Sequence, residues 1–251
     1  MDGLVLAGGT CPEDLKALTG CSKKGDLKIK GNRLVEIVVS ALTDALQDGK
    51  IIVVGNEVKG CVTVSAGVTF IESLEKGLAH VTSEGVLICT EDLPFVTGDS
   101  FLRLLSASDP RAEVNYPIVP IEACKRIFPD LKRTTVQTKE GRFTGGNAVV
   151  TKTEAVRKML PILSEVYKKR KHPFAIARMI GWGMLLRAVA ANVFPALLSI
   201  RDIEGRACAM MGVSMRAVIL NDPALATDVD TKEHFEAALC YVEKLSQPTP
   251  P

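Results

Sequence analysis

The sequence predicts an α/β fold, a mostly parallel central sheet with helices on both faces. Two observations carry that reading. Through the first half, short continuous apolar runs of strand length alternate with stretches of helical periodicity, the order that builds a covered parallel sheet. The 251 residues are also 47% apolar and 24% charged, the composition of a globular chain with a sizeable core.

The elements follow in order. Gly3 to Ala7 is a buried strand stopped by Gly8-Gly9. Arg33 to Leu46 places Leu34, Ile37, Val38, Ala41, Leu42 and Ala45 on one helical stripe. Lys50-IIVVG is strand-like, Ile71 to His80 helical, and Gly85-VLICT a third apolar strand that runs into Glu91-DLP. Beyond Ala107 the pattern loosens. Val114-NYPIVP alternates and holds two prolines, as an edge strand would. Arg133-TTVQTKEGRFTGGN reads as strand, turn and Gly-rich bend, and Glu154 to Lys169 as a helix with a basic end. Pro173 to Leu198 is long and apolar, but Arg178 and Arg187 interrupt it at places costly in lipid, so it reads as a buried or acceptor-covering helix pair. Arg216-AVIL is a last strand, Asp230 to Leu245 a closing amphipathic helix, and QPTPP a frayed tail.

Lys and Arg total 31 against 29 Asp and Glu, which gives no bulk electrostatic case for nucleic acid or an anionic membrane. Seven cysteines without CxxC spacing argue for reduced thiols in a cytoplasmic protein. The opening MDGLVLAGGT has neither the basic region nor the apolar length of a signal peptide.

Four segments are placed to do chemistry. Leu6-Ala7-Gly8-Gly9 brings side-chain-free backbone N–H groups to the end of a buried strand, where phosphate oxygens can approach. Asp92 follows another strand end, where a carboxylate suits Mg²⁺ shared with nucleotide phosphates; the competing reading is a cap on a helix starting near Pro94. Asp228 and Asp230, two apart on an extended segment, point the same way and can approach one cation, while Asp230 with Glu233 also fits a helix cap. Thr144-Gly145-Gly146-Asn147 offers donors and acceptors at an unobstructed bend.

Their order resembles the MobA-like nucleotidyltransferases, the group of molybdenum-cofactor guanylyltransferases and sugar-phosphate nucleotidyltransferases. LAGG ends the first strand, DLP follows a middle strand, GGN lies in the second half and DVDT precedes the last helix. Lys24-GDLKIKGNRLVEIVVSAL looks like the family's KxLLxIxGxPLIExVLxAL, and Thr69-FIESLEKGL, Tyr116-PIV and Gly141-RFTGGN extend the match across almost the whole chain. The resemblance implies a Rossmann-like, A-type glycosyltransferase fold. It implies residues 1–251 as one domain, with 1–106 a nucleotide-binding half and 107–246 an acceptor-binding half plus closing helix. It assigns Leu6, Ala7, Gly8, Gly9, Lys24 and Ser73 to the nucleotide, and Asp92, Asp228 and Asp230 to Mg²⁺. Lys24 and Asp92 are then catalytic, and Thr144, Gly145, Gly146 and Asn147 bind the acceptor. The implied reaction moves a nucleoside monophosphate from an NTP to a small phosphorylated acceptor and releases pyrophosphate, with a homodimer admitted. The sequence departs from the family loop LAGGxSxRMGxxK. Gly9 to Lys24 lacks its Arg and carries Glu13 and Asp14, with Lys16, Lys23 and Lys24 as the cations at hand. Alternatives of the same fold are a nucleotide-binding or regulatory protein without transfer activity and a glycosyltransferase using a sugar nucleotide.

His80, His172 and His234 have no ligand spacing and are read as structural or surface residues. Cys89 and Cys240 are read as small core hydrophobes, and Trp182 as a core residue.

Overall fold

The computed structural model describes residues 1–129, 131, 133–169 and 172–246; the tail QPTPP lies outside them. Strand β1 (Asp2–Leu6) is buried at every position. Helix α1 (Glu13–Thr19) forms inside the loop that follows, and a small hairpin, β2 (Lys28–Ile29) with β3 (Asn32–Arg33), leads into α2 (Leu34–Leu46). Strands β4 (Ile51–Val54) and β5 (Val62–Val64) extend the sheet on one side of β1, all in parallel. Helix α3 (Phe70–Leu78) starts where the Thr69 hydroxyl accepts the Glu72 N–H at 3.1 Å. It returns the chain to β6 (Gly85–Thr90), which lies parallel to β1 on its other side. The carboxyl ends of β1 and β6 therefore meet where the strand order reverses direction, the place where open α/β sheets bind ligands.

The second half begins with α4 (Gly98–Ala107), β7 (Val114–Pro120) and α5 (Ile121–Ile127). Then β8 (Val136–Thr138) and β9 (Gly141–Gly145) form an antiparallel hairpin, and β10 (Ala148–Lys152) runs antiparallel between β6 and β7. Helices α6 (Thr153–Lys169), α7 (Pro173–Ile180), α8 (Trp182–Ala190) and α9 (Ile200–Met211) precede β11 (Met215–Ile219), which pairs parallel with β7. Helix α10 (Lys232–Ser246) closes the described chain. The result is a mixed sheet of nine strands among the described residues, in the order β5-β4-β1-β6-β10-β7-β9-β8, with β11 on β7.

Alternating side chains of the central strands supply two cores. Val5, Val53 and Leu87 pack with Val38 and Leu42 of α2 and Phe101 and Leu104 of α4. Leu4, Ile52 and Val86 pack with Leu74 and Leu78 of α3 and Val156 and Met159 of α6. Helices thus cover both faces, as the alternation predicts.

Several expectations are corrected. Strand β7 is interior, flanked by β9 and β10 on one side and β11 on the other. Its Pro117 is tolerated because it faces the break between β9 and β10. There its carbonyl accepts the Gly146 N–H at 2.9 Å and no strand amide partner is required of its nitrogen. No helix starts near Pro94; α4 begins at Gly98, capped by the Thr97 hydroxyl. Helices α7 and α8 are a pair but not a buried one, since Phe174 is 79% exposed and Leu186 67%. Trp182 is half exposed and Cys240 exposed, whereas Cys89 is buried in the core as read. Among the described residues, no helix is long and apolar enough to cross a membrane.

Candidate active site

The loop after β1 stays close to the protein because alternate amides bond inward. Ala7 donates to Val54 O at 2.7 Å, Gly9 to Glu91 Oε1 at 2.7 Å and Cys11 to Ser22 O at 2.9 Å, while Gly8 and Thr10 between them are exposed. The Gly9 amide is therefore committed to Glu91, so Gly8 is the loop glycine that faces solvent. A Cβ at Gly9 would sit 2.7 Å from Glu91 Oε1, so a side chain there would have to displace the Glu91 carboxyl. Gly55, at φ +101°, folds onto Gly8, where any side chain would strike the Gly8 backbone. Ser73 is buried in α3, and its hydroxyl accepts the Gly67 N–H at 3.0 Å, which ties down the loop whose Ala66 lies against Gly8.

Helix α1 replaces the family's Arg-bearing turn. It turns Glu13 and Asp14 to solvent and buries Leu15. Lys16 lies 3.9 Å from Glu13, and Lys23 donates to Gly55 O at 2.7 Å. Lys24 is the cation that reaches the cluster, from a 3₁₀ turn over Lys24–Asp26. Arg33 and Asn56 hold that turn through Asp26, at 3.2 Å and 3.1 Å.

Asp92 follows β6, anchored by Leu93 in the core. The segment carrying Asp228 and Asp230 runs beside it, with the Val229 N–H donating to Asp92 O at 3.0 Å and the Val229 side chain buried under α10. With Val229 pointing inward, Asp228 and Asp230 both point outward, as their spacing predicts. Each of the three carboxylates offers an oxygen within 4.8 Å of the other two. Lys24 Nζ lies among them, 3.3 Å from Asp92 Oδ2 and hydrogen-bonded to Asp230 Oδ1. Neither acid is a helix cap: the Thr231 hydroxyl accepts the His234 N–H at 3.3 Å and starts α10.

Charge in this cluster is unbalanced. Burial, with the charges of Asp92 and Asp230, pushes the Asp228 carboxyl up to about 6. Burial is the largest influence on Asp230 and works in the same direction, but the hydrogen bond and charge of Lys24, the Asp228 hydrogen bond and the His234 charge together hold the carboxyl below its ordinary range. Lys24 is desolvated as well, yet Asp92 and Asp230 keep its ammonium charged beyond the ordinary lysine range. Glu91 beneath is 2% exposed, and burial pushes it up to about 8, with the Gly9 amide opposing. Asp92 Oδ1 and Glu91 Oε2 are buried without a protein partner. Hard oxygen donors converging with one unmet carboxylate oxygen and a surplus of negative charge fit a divalent cation.

Beside the cluster lies a cavity of about 460 Å³. Thr144, Gly145 and Asn147 line it together with Asp228, Asp230, Arg133 and His234, so the expected acceptor bend and the expected metal acids converge on one space. Gly146 does not line it; it packs on β7, where a Cβ would meet Pro117 at 2.9 Å. Arg133 donates to the Ala226 carbonyl and to Thr227 Oγ1, the latter at 2.8 Å, and its Nε is buried without a partner. His234, set aside on sequence, reaches the wall with Nδ1 3.2 Å from Asp228 O. Glu91, Arg133 and His234 were given no functional role from the sequence, although Glu91 stands one residue before Asp92 and Arg133 and His234 lie near the quoted segments.

A Rossmann-like sheet with its polar cluster at the switch point is the architecture of nucleotidyltransferases. Residues 3–179 match the MobA-like NTP transferase domain, and the chain belongs to that family. A hypothetical transferase from Thermus thermophilus is 33% identical, with TM-score 0.82 over 93% of this chain and 99% of that one. The 4-diphosphocytidyl-2C-methyl-D-erythritol synthase of Anaerococcus prevotii (TM-score 0.57, 11% identity, 96% and 97% of the two chains) shares the fold. So does the 2-C-methyl-D-erythritol 4-phosphate cytidylyltransferase of Thermus thermophilus (0.53, 16%, 97% and 100%). No curated protein matches the chain.

Proposed function

We propose that the protein moves a nucleoside monophosphate from an NTP to a phosphorylated acceptor, with Lys24 and Asp92 as its central residues. The observation that carries this reading is the placement of one lysine and three converging carboxylates between an exposed glycine loop and a polar cavity. An acceptor phosphate oxygen bonds to the α-phosphorus as the bond to the β-phosphate oxygen breaks, and pyrophosphate leaves. Such a transfer needs alignment and charge neutralisation more than covalent help. The exposed Gly8 and Thr10 amides receive the triphosphate, and Lys24, released from Asp230, neutralises it. Arg133 and His234 orient the acceptor over Thr144, Gly145 and Asn147. Asp92, Asp228 and Asp230 would hold Mg²⁺, which supplies charge neutralisation at the α-phosphate when bound. In this reading residues 1–106 serve the nucleotide and 107–246 the acceptor, within one domain.

One observation favours the reading of a nucleotide-binding protein without transfer activity. The loop lacks the family Arg, and its Gly9 amide is taken by Glu91. The experiment that decides is thermal stabilisation by each of the four NTPs with Mg²⁺, followed by pyrophosphate release with phosphorylated acceptors. Wild type is expected to do both. Asp92→Asn is expected to lose both while melting within a few degrees of wild type. Normal Mg·NTP binding by that variant removes Asp92 from the site, and NTP binding with no pyrophosphate release from any acceptor supports the non-transferring protein.

A further inference from the structure

A second hollow adjoins the polar cavity. It is a groove of about 320 Å³ between α9 and the face of the sheet formed by β11, β7, β9 and β8. Val136, Phe143, Thr144 and Gly145 line both spaces, so the groove and the polar cavity are immediate neighbours. Tyr116 stands at their shared border: it lines the groove, and its hydroxyl end lies against Gly145. Register explains why one face can do this. Ile118 pairs with Gly145 and Ile219, and Tyr116 with Ala217, so their side chains share a face opposite Val119 and Thr144.

The groove is apolar by construction. Ile118, Phe143, Ile203, Ala207 and Met215 form its walls. Two of its polar side chains are engaged by the protein: Thr138 donates to Gly141 O at 3.1 Å, and Glu204 accepts the Ala217 N–H at 2.8 Å and the Arg216 guanidinium at 3.4 Å. The rest of the lining is dominated by apolar side chains, so an apolar ligand would displace water there at little cost in hydrogen bonds. Beyond β8 the apolar surface continues, with Leu197 47% and Val189 64% exposed. Helix α9, one wall of the groove, lies outside residues 3–179 matched to the family domain, so the groove is not a feature of that shared region.

We infer that the phosphorylated acceptor carries an apolar chain, alkyl, acyl or prenyl, which lies in this groove while its phosphate occupies the cavity beside Arg133 and His234. This rests on the transfer reading for the phosphate end, and on groove geometry alone for the chain. The four residues common to the two spaces select the acceptor's own tail over a separate molecule.

Isothermal titration with butyl, hexyl and octyl phosphate, below their micelle concentrations, tests the inference. Wild type is expected to bind more tightly with length, by roughly three- to fourfold per buried methylene, so octyl phosphate should exceed butyl phosphate by on the order of a hundredfold when its four extra methylenes are buried. Ala207→Phe, which fills the groove, and Ile203→Glu, at a position 37% exposed and therefore tolerant of folding, should both flatten that dependence. Mg·NTP stabilisation, read on the same three proteins, should stay unchanged. Equal affinity for the three phosphates in wild type overturns the inference, as does a length dependence that survives both substitutions. If Mg·NTP stabilises wild type and length has no effect, the chain subsite alone fails. If no NTP stabilises it, the transfer reading fails instead. A dimer in sedimentation that either variant dissociates, with no length dependence, assigns the groove to a second copy and also overturns the inference.

Discussion

Glu91 offers the sharpest test of the electrostatics under the glycine loop. Its carboxyl is 2% exposed, Oε1 accepts the Gly9 N–H and Oε2 has no protein partner. A carboxyl in that place is best accommodated with a proton, and burial pushes it from 4.5 up to about 8. The sign follows from linkage. Between those two values the folded state holds a proton that the unfolded state has released, so stability falls as pH rises across that window and levels off above it. A gap of that size corresponds to on the order of 5 kcal/mol at most. Glu91→Gln keeps the acceptor for Gly9 and removes the titration. In urea denaturation with EDTA, wild type should lose stability steeply from pH 5 to 8, and the variant should be flatter and more stable at pH 8. The smaller fall that comes from Asp228, up to about 6, is shared by both proteins. Parallel pH profiles for wild type and variant would refute the reasoning, because they would show that Glu91 is ionised in the folded state at neutral pH.

Lys24→Ala removes the only cation bonded to Asp92 and Asp230 among the described residues. It should cost about 2 kcal/mol in thermal denaturation, discounted from a fully buried pair because Asp230 is half exposed. Mg·NTP affinity should fall in a salt-sensitive way, with part of it kept by Lys24→Arg; unchanged affinity would deny Lys24 its role. Thr231→Ala should cost about 1 kcal/mol through the lost α10 cap. Asp230→Asn should leave stability nearly unchanged and raise the Mg²⁺ concentration needed for NTP binding, and an unchanged Mg²⁺ titration would leave Asp230 as a partner of Lys24 only.

Most of the parallel half was legible because β1, β4 and β6 are continuous apolar runs buried on both faces; β5, three residues long with Thr63 exposed, offered no such run and went unread. β1, β4 and β6 could be read as runs, and α2 and α3 as stripes. The second half was harder for physical reasons. Strand β7 carries two prolines that ordinarily mark an edge, and only the break at Gly146-Asn147 on the neighbouring strands makes an interior place tolerable. Helix α9 went unread although Ile200, Ile203 and Ala207 share one face, because Arg201, Asp202, Glu204, Gly205 and Arg206 interrupt it and none of its residues is fully buried. Helices α7 and α8 were readable as helices, but Phe174, Trp182, Leu186 and Val189 are exposed, which composition alone cannot distinguish from burial.

At the candidate site, what could be read was whatever the local chain dictates. Two acids flanking a buried Val229 must share a direction, and a carboxylate after a buried strand must emerge at the sheet's edge. What could not be read depends on segments far apart in sequence meeting in space. Lys24 is 68 residues from Asp92 and 206 from Asp230, yet one ammonium touches both. Helix caps illustrate the same limit. Asp92 and Asp230 each fit a cap by residue type, but Thr97 and Thr231 do the capping. Two acids relieved of a structural duty, and held near a third by the Val229 amide, form a cluster that the fold itself does not require. A fold can seat a lone threonine at a helix start at little cost, whereas three carboxylates within 4.8 Å repel one another and drive Asp228 toward protonation. One lysine offsets only part of that repulsion. The remainder is a standing preference for additional positive charge at the point where the glycine loop and the polar cavity meet.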